Sequence, residues 1–456
     1  MRQIVMAIDL GSINATCAIA EVVDGVPKIL GYGQCQSRGI KKGAISNIEQ
    51  AARSVQEAVD CARRMSGTTA NKAIVSISGV YTKSRNGSGI VTIPNGEIGT
   101  AEIKRVVVGA LHNVQIPIDY DVIHVLPYQF VVDEQEQVDD PNGMSGGRLK
   151  AMVHIVTAQK THLENLKRVM KTAGIEIENI VLSSYASALA TLSDDERELG
   201  VACVDIGGST CDVMIYSGNS MCHNEVIKVG SHHITSDISM AFNTPLSAAE
   251  KIKIEHSDLA NYQEQSNSKR LEIPLVGGSN KTQQIAYGDL AKVACYRLLE
   301  IFGIVYDTLK KNELRGQINA GLVLTGGMMK LKGIDKLVEA FSKELPTRIA
   351  LPREIEGMPQ DFCDYMNATL VGLILYSSGN FTKYELDSHK RLRVQKSRFI
   401  EDDRFDKVDM MALNAEQQEL TPSQIFEDEK RTQMSPDQQP KENKLESFWE
   451  AFKKYF

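Results

Sequence analysis

The chain has little of what marks a metalloprotein, a nucleic-acid binder or a membrane-spanning protein. Its eight cysteines include no CxxC pair and no metal-type spacing. A zinc site is therefore not expected, and free thiols fit a reducing compartment. Acidic residues outnumber basic ones, 58 to 51, leaving a formal charge of −7. Nucleic-acid binding through the phosphate backbone needs a basic face, so no such partner is expected. No run of 18 apolar residues occurs, so no helix is expected to span a bilayer. The opening stretch Ile4–Ile8 runs straight into Asp9 without a cleavage pattern, which excludes a signal peptide as its reading. Aromatic residues make up only 6% of the chain, with a single tryptophan, Trp449.

What is present is too long for one core: 456 residues call for two or more domains. Gln3 to Leu10 reads as an apolar strand, followed by strands over Ala15–Glu21 and Lys28–Gln34 with an Asp24-Gly25 turn between them. Ile48, Ala52, Val55, Val59 and Ala62 recur at helical spacing, and Lys72–Ser78 returns to strand. The order is βββαβ. It restarts near Gly200, with GVACVDIGG, CDVMIYSG and a third strand within Met221–Val229. A long helical pattern covers Tyr287–Leu314. The segment between the repeats, rich in β-branched residues, reads as an inserted α+β subdomain. After about Tyr384, polar and charged residues dominate and periodicity vanishes, which predicts a disordered linker.

Three glycine turns stand where these units could share a ligand. Asp9-Leu10-Gly11-Ser12 and Asp205-Ile206-Gly207-Gly208-Ser209-Thr210 each join a first strand to a second. Glycine lets backbone N–H groups approach phosphate oxygens without a Cβ in the way. Ser12, Ser209 and Thr210 add hydroxyl donors. Asp9 and Asp205 would repel phosphate directly, and so suit Mg²⁺ held through its water shell. The third turn follows an apolar strand over Ile318–Thr325, where Gly326-Gly327-Met328 offers bare backbone for an adenine ring to stack on. One such turn is an ordinary hairpin; two opening duplicated units, with the third turn beside them, point to ATP with Mg²⁺ in a cleft between two halves.

The last residues carry a different pattern. Leu445, Phe448, Trp449, Phe452 and Phe456 fall within an arc of about 100° on a helical wheel. Glu446, Glu450, Lys453 and Lys454 take the other side. Docking on the chain's own core is one reading; an in-plane membrane anchor is the sharper one. Each apolar anchor gains about 1.5–3 kcal/mol if fully buried, while so short a helix is marginal in water. A single copy should bind lipid weakly, and linked copies far more tightly.

The three turns together resemble the actin-like ATPase superfamily. The stretches SRGIKKGAISNIEQA (37–51), HHITSDISMAFNTPLSAAEKIKIEH (232–256), LTGGMMKLKGI (324–334) and NATLVGLILY (367–376) are similar to the FtsA family of bacterial cell-division proteins, over about the first 385 residues. The resemblance implies an α/β, duplicated actin-like (ribonuclease H-like) fold with an inserted subdomain. Its subdomains would be 1–85 with 163–197, the insertion 86–162, 198–235 with 315–385, and 236–314, followed by a linker over 386–443 and a targeting helix over 444–456. It implies that Gly230 lies near the phosphates and that Glu250 and Lys253 reach the ribose. It implies a partner, the C-terminal peptide of the tubulin-like filament protein FtsZ, with Arg297 and Glu300 at contact positions; an intrahelical ion pair is the alternative for those two. Self-association, inner-membrane lipids and later division proteins complete the implied partners. The place would be the cytoplasmic face of the inner membrane at the division site.

Two departures bear on chemistry. Asn14 stands where the family often carries Lys, replacing a point charge by a dipole, and Gly230-Ser231 replaces a double glycine. No carboxylate general base is evident, so at most a weak ATPase is expected. A small-molecule kinase of the same fold would need an Asp aimed at a substrate hydroxyl, and none is evident beyond the two loop aspartates. A PilM-like pilus assembly protein would lack the terminal helix.

Overall fold

The computed structural model describes residues 2–41, 43–217, 220–259, 269–277, 281–311, 314–341 and 345–394. Most of the expected linker and the whole terminal pattern from Leu445 to Phe456 lie outside the described residues.

The chain begins with β1 (Arg2–Leu10), β2 (Asn14–Val23), β3 (Val26–Gln36), a short pair β4 (Ile40–Lys41) and β5 (Ala44–Ile45), α1 (Ile48–Ser66) and β6 (Lys72–Ile77). It continues through β7 (Thr82–Thr92), α2 (Thr100–His112), β8 (Tyr120–Val132), β9 (Gln135–Val138), β10 (Arg148–Gln159), α3 (Lys160–Thr172) and β11 (Glu176–Leu182). Next come α4 (Ser183–Thr191), α5 (Asp194–Leu199), β12 (Val201–Ile206), β13 (Cys211–Ser217), β14 (Ser220–Ile227), α6 (Ser231–Ala241) and α7 (Leu246–His256). The pair β15 (Arg270–Pro274) and β16 (Thr282–Ala286), α8 (Tyr287–Lys311), β17 (Leu322–Thr325), α9 (Ile334–Phe341) and β18 (Thr347–Ile349) follow. The last elements are α10 (Ala368–Ser377), β19 (Glu385–Leu386) and β20 (Leu392–Arg393).

Two five-stranded sheets repeat one plan. The first has the order β11-β6-β1-β2-β3 and the second, read from its other edge, β18-β17-β12-β13-β14. In both, three antiparallel strands come first and two parallel strands extend the sheet past the first of them. A third sheet, β20-β19-β8-β10-β7 with β9 on β8, joins strands β7 to β10 of the inserted segment to the late pair β19 and β20.

Local chemistry explains the first unit. Asp24 and Gly25 both take positive φ, 49° and 83°, closing a two-residue hairpin between Val23 and Val26. Helix α1 starts at Asn47, whose side chain accepts the Gln50 N–H, and stops at Gly67 in the left-handed region. Its apolar face, including Ala52, Val55, Val59 and Ala62, is buried. The backbones of α1 and β3 come so close that a Cβ on Gly33 would lie 2.0 Å from the Ala58 carbonyl oxygen.

Helix α4 carries the chain from the first sheet to the second, and α10 follows the second sheet on the way to β19. The two helices cross at Gly372, where a Cβ would fall 1.8 Å from the Ala186 carbonyl oxygen. Only glycine permits that approach.

Two expectations shift. The strand expected from Ile318 starts at Leu322, because Gly321 at φ 87° turns the chain beside Pro346. The linker expected from 386 does not begin there: Leu386 is buried and pairs with Val125 of β8, and the ladder with β20 runs to Arg393. Polar composition was misleading because those polar groups are themselves paired, as with Glu385, which accepts from Tyr185 and Tyr376. Among the described residues no helix is long and apolar enough to cross a membrane.

Candidate functional site

The three glycine turns meet at one cleft. It is lined by Asp9, Gly11, Ser12 and Asn14 of the first turn, Asp205, Gly207, Gly208 and Thr210 of the second, and Gly326 and Gly327 of the third. The cleft encloses about 130 Å³.

The first two turns are built alike. Gly11 N–H donates to the Asn14 carbonyl at 3.0 Å, and Gly207 N–H to the Thr210 carbonyl at 2.9 Å. Each closes a hairpin that leaves its aspartate at the end of the incoming strand. The turns also touch, since a Cβ on Gly208 would lie 2.7 Å from Ile13. At the third turn Gly326 takes φ 93°, and a Cβ there would fall 2.3 Å from Asp205 Oδ1. That contact puts the third turn against the second aspartate.

Burial governs the charges. It pushes Asp9 up to about 6, against a 2.6 Å hydrogen bond from Ser76, with Asp205 adding repulsion. Burial also raises Asp205, while Ser187 donates to its Oδ2 at 2.5 Å. Ser187 Oγ in turn lies 2.9 Å from Thr369 Oγ1, so the second aspartate is held by α4 and, through it, by α10. A third carboxylate, Asp212, stands directly across the β12–β13 ladder from Asp205. Burial, then Asp205, pushes it up to about 7. Thr210 donates to its Oδ2 at 3.2 Å, and its Oδ1 has no hydrogen-bond partner.

The other expected site residues are not among those that line the cleft. Gly230 packs on the second turn: Ser231 N–H donates to Gly207 at 3.0 Å and His232 N–H to Gly208 at 2.8 Å. A Cβ on Gly230 would lie 2.6 Å from the Gly207 oxygen, so glycine is required there. Ser209 and Met328 are buried. Lys253 is buried on α7 and donates to Glu250 at 2.9 Å and Thr235 at 3.0 Å, tying α7 to α6. Burial works against the Glu250 carboxylate, yet Thr235 and Lys253 hold it below its ordinary range. Arg297 and Glu300, on α8, form the intrahelical pair at 2.6 Å. Arg297 also makes a two-pronged bond to Asp237 of α6, at 2.5 and 2.8 Å.

Sequence reasoning missed Ser76, Ser78, Ser183, Ser187, Asp212, Met366, Asn367 and Thr369. Asp212 was within reach, because the Gly207–Thr210 turn fixes the register that sets it opposite Asp205. The serines and Thr369 depend on how distant elements pack. A larger cavity, about 670 Å³, lies between α3, β11 and the loop at Ser388 and His389. Its lining carboxylates are paired, Asp121 with Lys390 and Glu176 with Lys72, and no glycine turns converge there. The smaller cleft is therefore the candidate site.

Known proteins share both the fold and the sequence. A profile described as "Cell division protein FtsA" matches residues 202–372, and one described as "SHS2 domain inserted in FTSA" matches 79–157. Cell division protein FtsA of Helicobacter pylori is 39% identical over 424 residues, covering 87% of this chain and 86% of that protein. The Pseudomonas aeruginosa protein of the same name is 36% identical over 82% of this chain and 89% of its own length. The Escherichia coli one is 31% identical over 86% and 94%. Among solved structures, the PilM-PilN type IV pilus biogenesis complex matches with a TM-score of 0.58 at 15% identity, covering 82% of this chain and 98% of that one. MreB5 of Spiroplasma citri bound to ADP matches with 0.50 at 17%, covering 82% and 96%. At such identities these two report the fold alone, the actin-like one. The sequence relatives go further: the chain belongs to the FtsA family of cell-division proteins.

Proposed function

We propose that this division protein binds ATP with Mg²⁺ in the cleft and works as a self-associating adaptor that tethers FtsZ to the membrane and helps recruit later division proteins. The observation that carries the nucleotide reading is the convergence of three glycine turns on two partly buried aspartates. The backbone N–H groups of Ser12 and of Gly208 to Thr210 would hold phosphates, and the third turn the adenine. The MreB5 neighbour, solved with ADP, has the same fold.

Mg²⁺ fits what the residues offer. Asp9 and Asp205 supply hard oxygen acceptors, and Asp212 Oδ1 is a buried acceptor left without a donor. The bound ion would neutralise carboxylates that now repel one another. At about 130 Å³ the cleft is smaller than the roughly 300–1,000 Å³ usual for small-ligand sites. On this reading nucleotide enters with the halves parted, and closure upon it is the signal to assemble. Hydrolysis is expected to be slow.

The membrane and FtsZ parts rest on family membership and on the apolar stripe from Leu445 to Phe456. Co-sedimentation with lipid vesicles, with and without ATP and an FtsZ C-terminal peptide, tests them together. The intact chain should sediment and carry the peptide down. Deleting Leu445 to Phe456 should abolish sedimentation and leave ATP binding intact; retained sedimentation would sink the anchor.

A further inference from the structure

Three buried polar atoms on the wall of the cleft have no hydrogen-bond partner: Thr16 Oγ1, Asp212 Oδ1 and Asn367 Oδ1. Asn367 is the most informative. It is 2% exposed and lies at the start of α10. Its Nδ2 donates to the Phe362 carbonyl at 3.0 Å, which fixes the amide and leaves Oδ1 as the face without a partner. A buried acceptor without a donor is costly, so a donor arriving with a ligand would be favoured there.

The neighbours decide which donor. Two residues on, Thr369 contacts Ser187, which bonds Asp205. Asn367 thus belongs to the same wall as Asp9, Asp205 and Asp212. Among the described residues that line this cleft there is no Lys, Arg or His. Beside the phosphate-binding N–H groups the wall's charged side chains are all carboxylates, so the positive charge that meets them has to come with the ligand. Among the described residues, no three His, Cys, Asp or Glu side chains are grouped to grip a metal directly. A hydrated divalent cation presents donors on every side and keeps its waters readily when it is Mg²⁺.

We propose that Asn367 positions the nucleotide's Mg²⁺ by accepting a hydrogen bond from a metal-bound water, alongside Asp9, Asp205 and Asp212. This rests on the nucleotide reading above. Asn367 is a positioning residue for the ion; the alternative donor, the exocyclic amine of adenine, makes it a base-recognition residue instead.

The test is equilibrium titration of the full chain with a fluorescent ATP analogue, in Mg²⁺ and in EDTA. It compares the natural sequence, Asn367→Leu and Asn367→Asp, with thermal melting to confirm folding. Asn367→Leu should reduce the gain in affinity due to Mg²⁺ by about tenfold and leave affinity in EDTA unchanged. Asn367→Asp, which keeps the shape and an acceptor, should keep or enlarge the gain, and it carries the test if the leucine variant fails to fold. Equal losses with and without Mg²⁺, or a loss of preference for ATP over GTP in EDTA, would overturn the proposal in favour of the base. Unchanged binding by both variants would overturn it outright. If the natural sequence itself binds no nucleotide, the nucleotide reading falls, a result distinct from any of these.

Discussion

The two glycine hairpins at the cleft share a backbone and differ in company. Both close with the same hydrogen bond from the first glycine, Gly11 or Gly207, to the third residue on. Across the ladder, however, Asp9 faces Thr16, a neutral hydroxyl, whereas Asp205 faces Asp212, a second carboxylate. Asp9 is steadied by Ser76 of β6, in its own sheet. Asp205 is steadied by Ser187 of α4, which contacts Thr369 of α10. The duplication thus preserved geometry and divided labour. The first hairpin belongs to its own half. The second concentrates negative charge and is wired to α4, which connects the halves, and through it to α10.

That contrast can be broken by experiment. The largest expected effect is on nucleotide affinity: Asp205→Ala should lower it about a hundredfold, near the upper range for a charged hydrogen-bonding group, and more than Asp9→Ala. Calorimetric titration in Mg²⁺ reads both, and a larger loss for Asp9→Ala would reverse the proposed division. A smaller effect concerns stability. Ser187→Ala should cost about 1–2 kcal/mol, since a partly buried carboxylate loses its donor, and Ser76→Ala less, by denaturant unfolding; equal costs would mean the wiring to α4 and α10 carries no weight.

The last comparison is a control outside both hairpins. Glu385 is fully buried, and burial pushes it up to about 7, against the nearby Arg393 and hydrogen bonds from Tyr376 and Tyr185. A carboxyl with a raised folded value binds its proton more tightly folded than unfolded. Its contribution is full below the unfolded value near 4.5 and is lost as pH rises through about 7. Glu385→Gln should flatten the fall in stability across that window while nucleotide affinity stays constant. A change in affinity would show that the exit segment, not only the second hairpin, is coupled to the cleft through α4.

Much of this was legible in the chain because it depended on local rules. Asp24-Gly25, the α1 face from Ala52 to Ala62 and the two Asp-x-Gly turns follow from turn chemistry and periodicity. Asp212 follows from hairpin register. What stayed hidden was what only packing creates. Ser187 and Thr369 meet because Gly372 lets α10 ride against Ala186, and neither helix announces that crossing by itself. The stretch after Tyr384 read as linker because burial of charge is invisible to composition. Glu385 is tolerated inside only because two tyrosines and Arg393 surround it. Asn367 reads as one more polar residue ahead of an apolar helix until its amide is seen pinned by Phe362.

The short ladder of β19 and β20 also has a mechanical meaning. Strand β20 folds back antiparallel on β19, so the chain arrives and leaves at the same end of a two-rung hairpin. A force on the chain beyond Val394 would load those rungs one at a time, the weak direction for such a pair. The first rung to feel it is Arg393. Its guanidinium lies 4.1 Å from the ring centres of both Tyr376 and Phe381, and it donates to the Tyr376 carbonyl. One side chain, seated against two rings beside the end of α10, thus anchors the last described strand to the folded body.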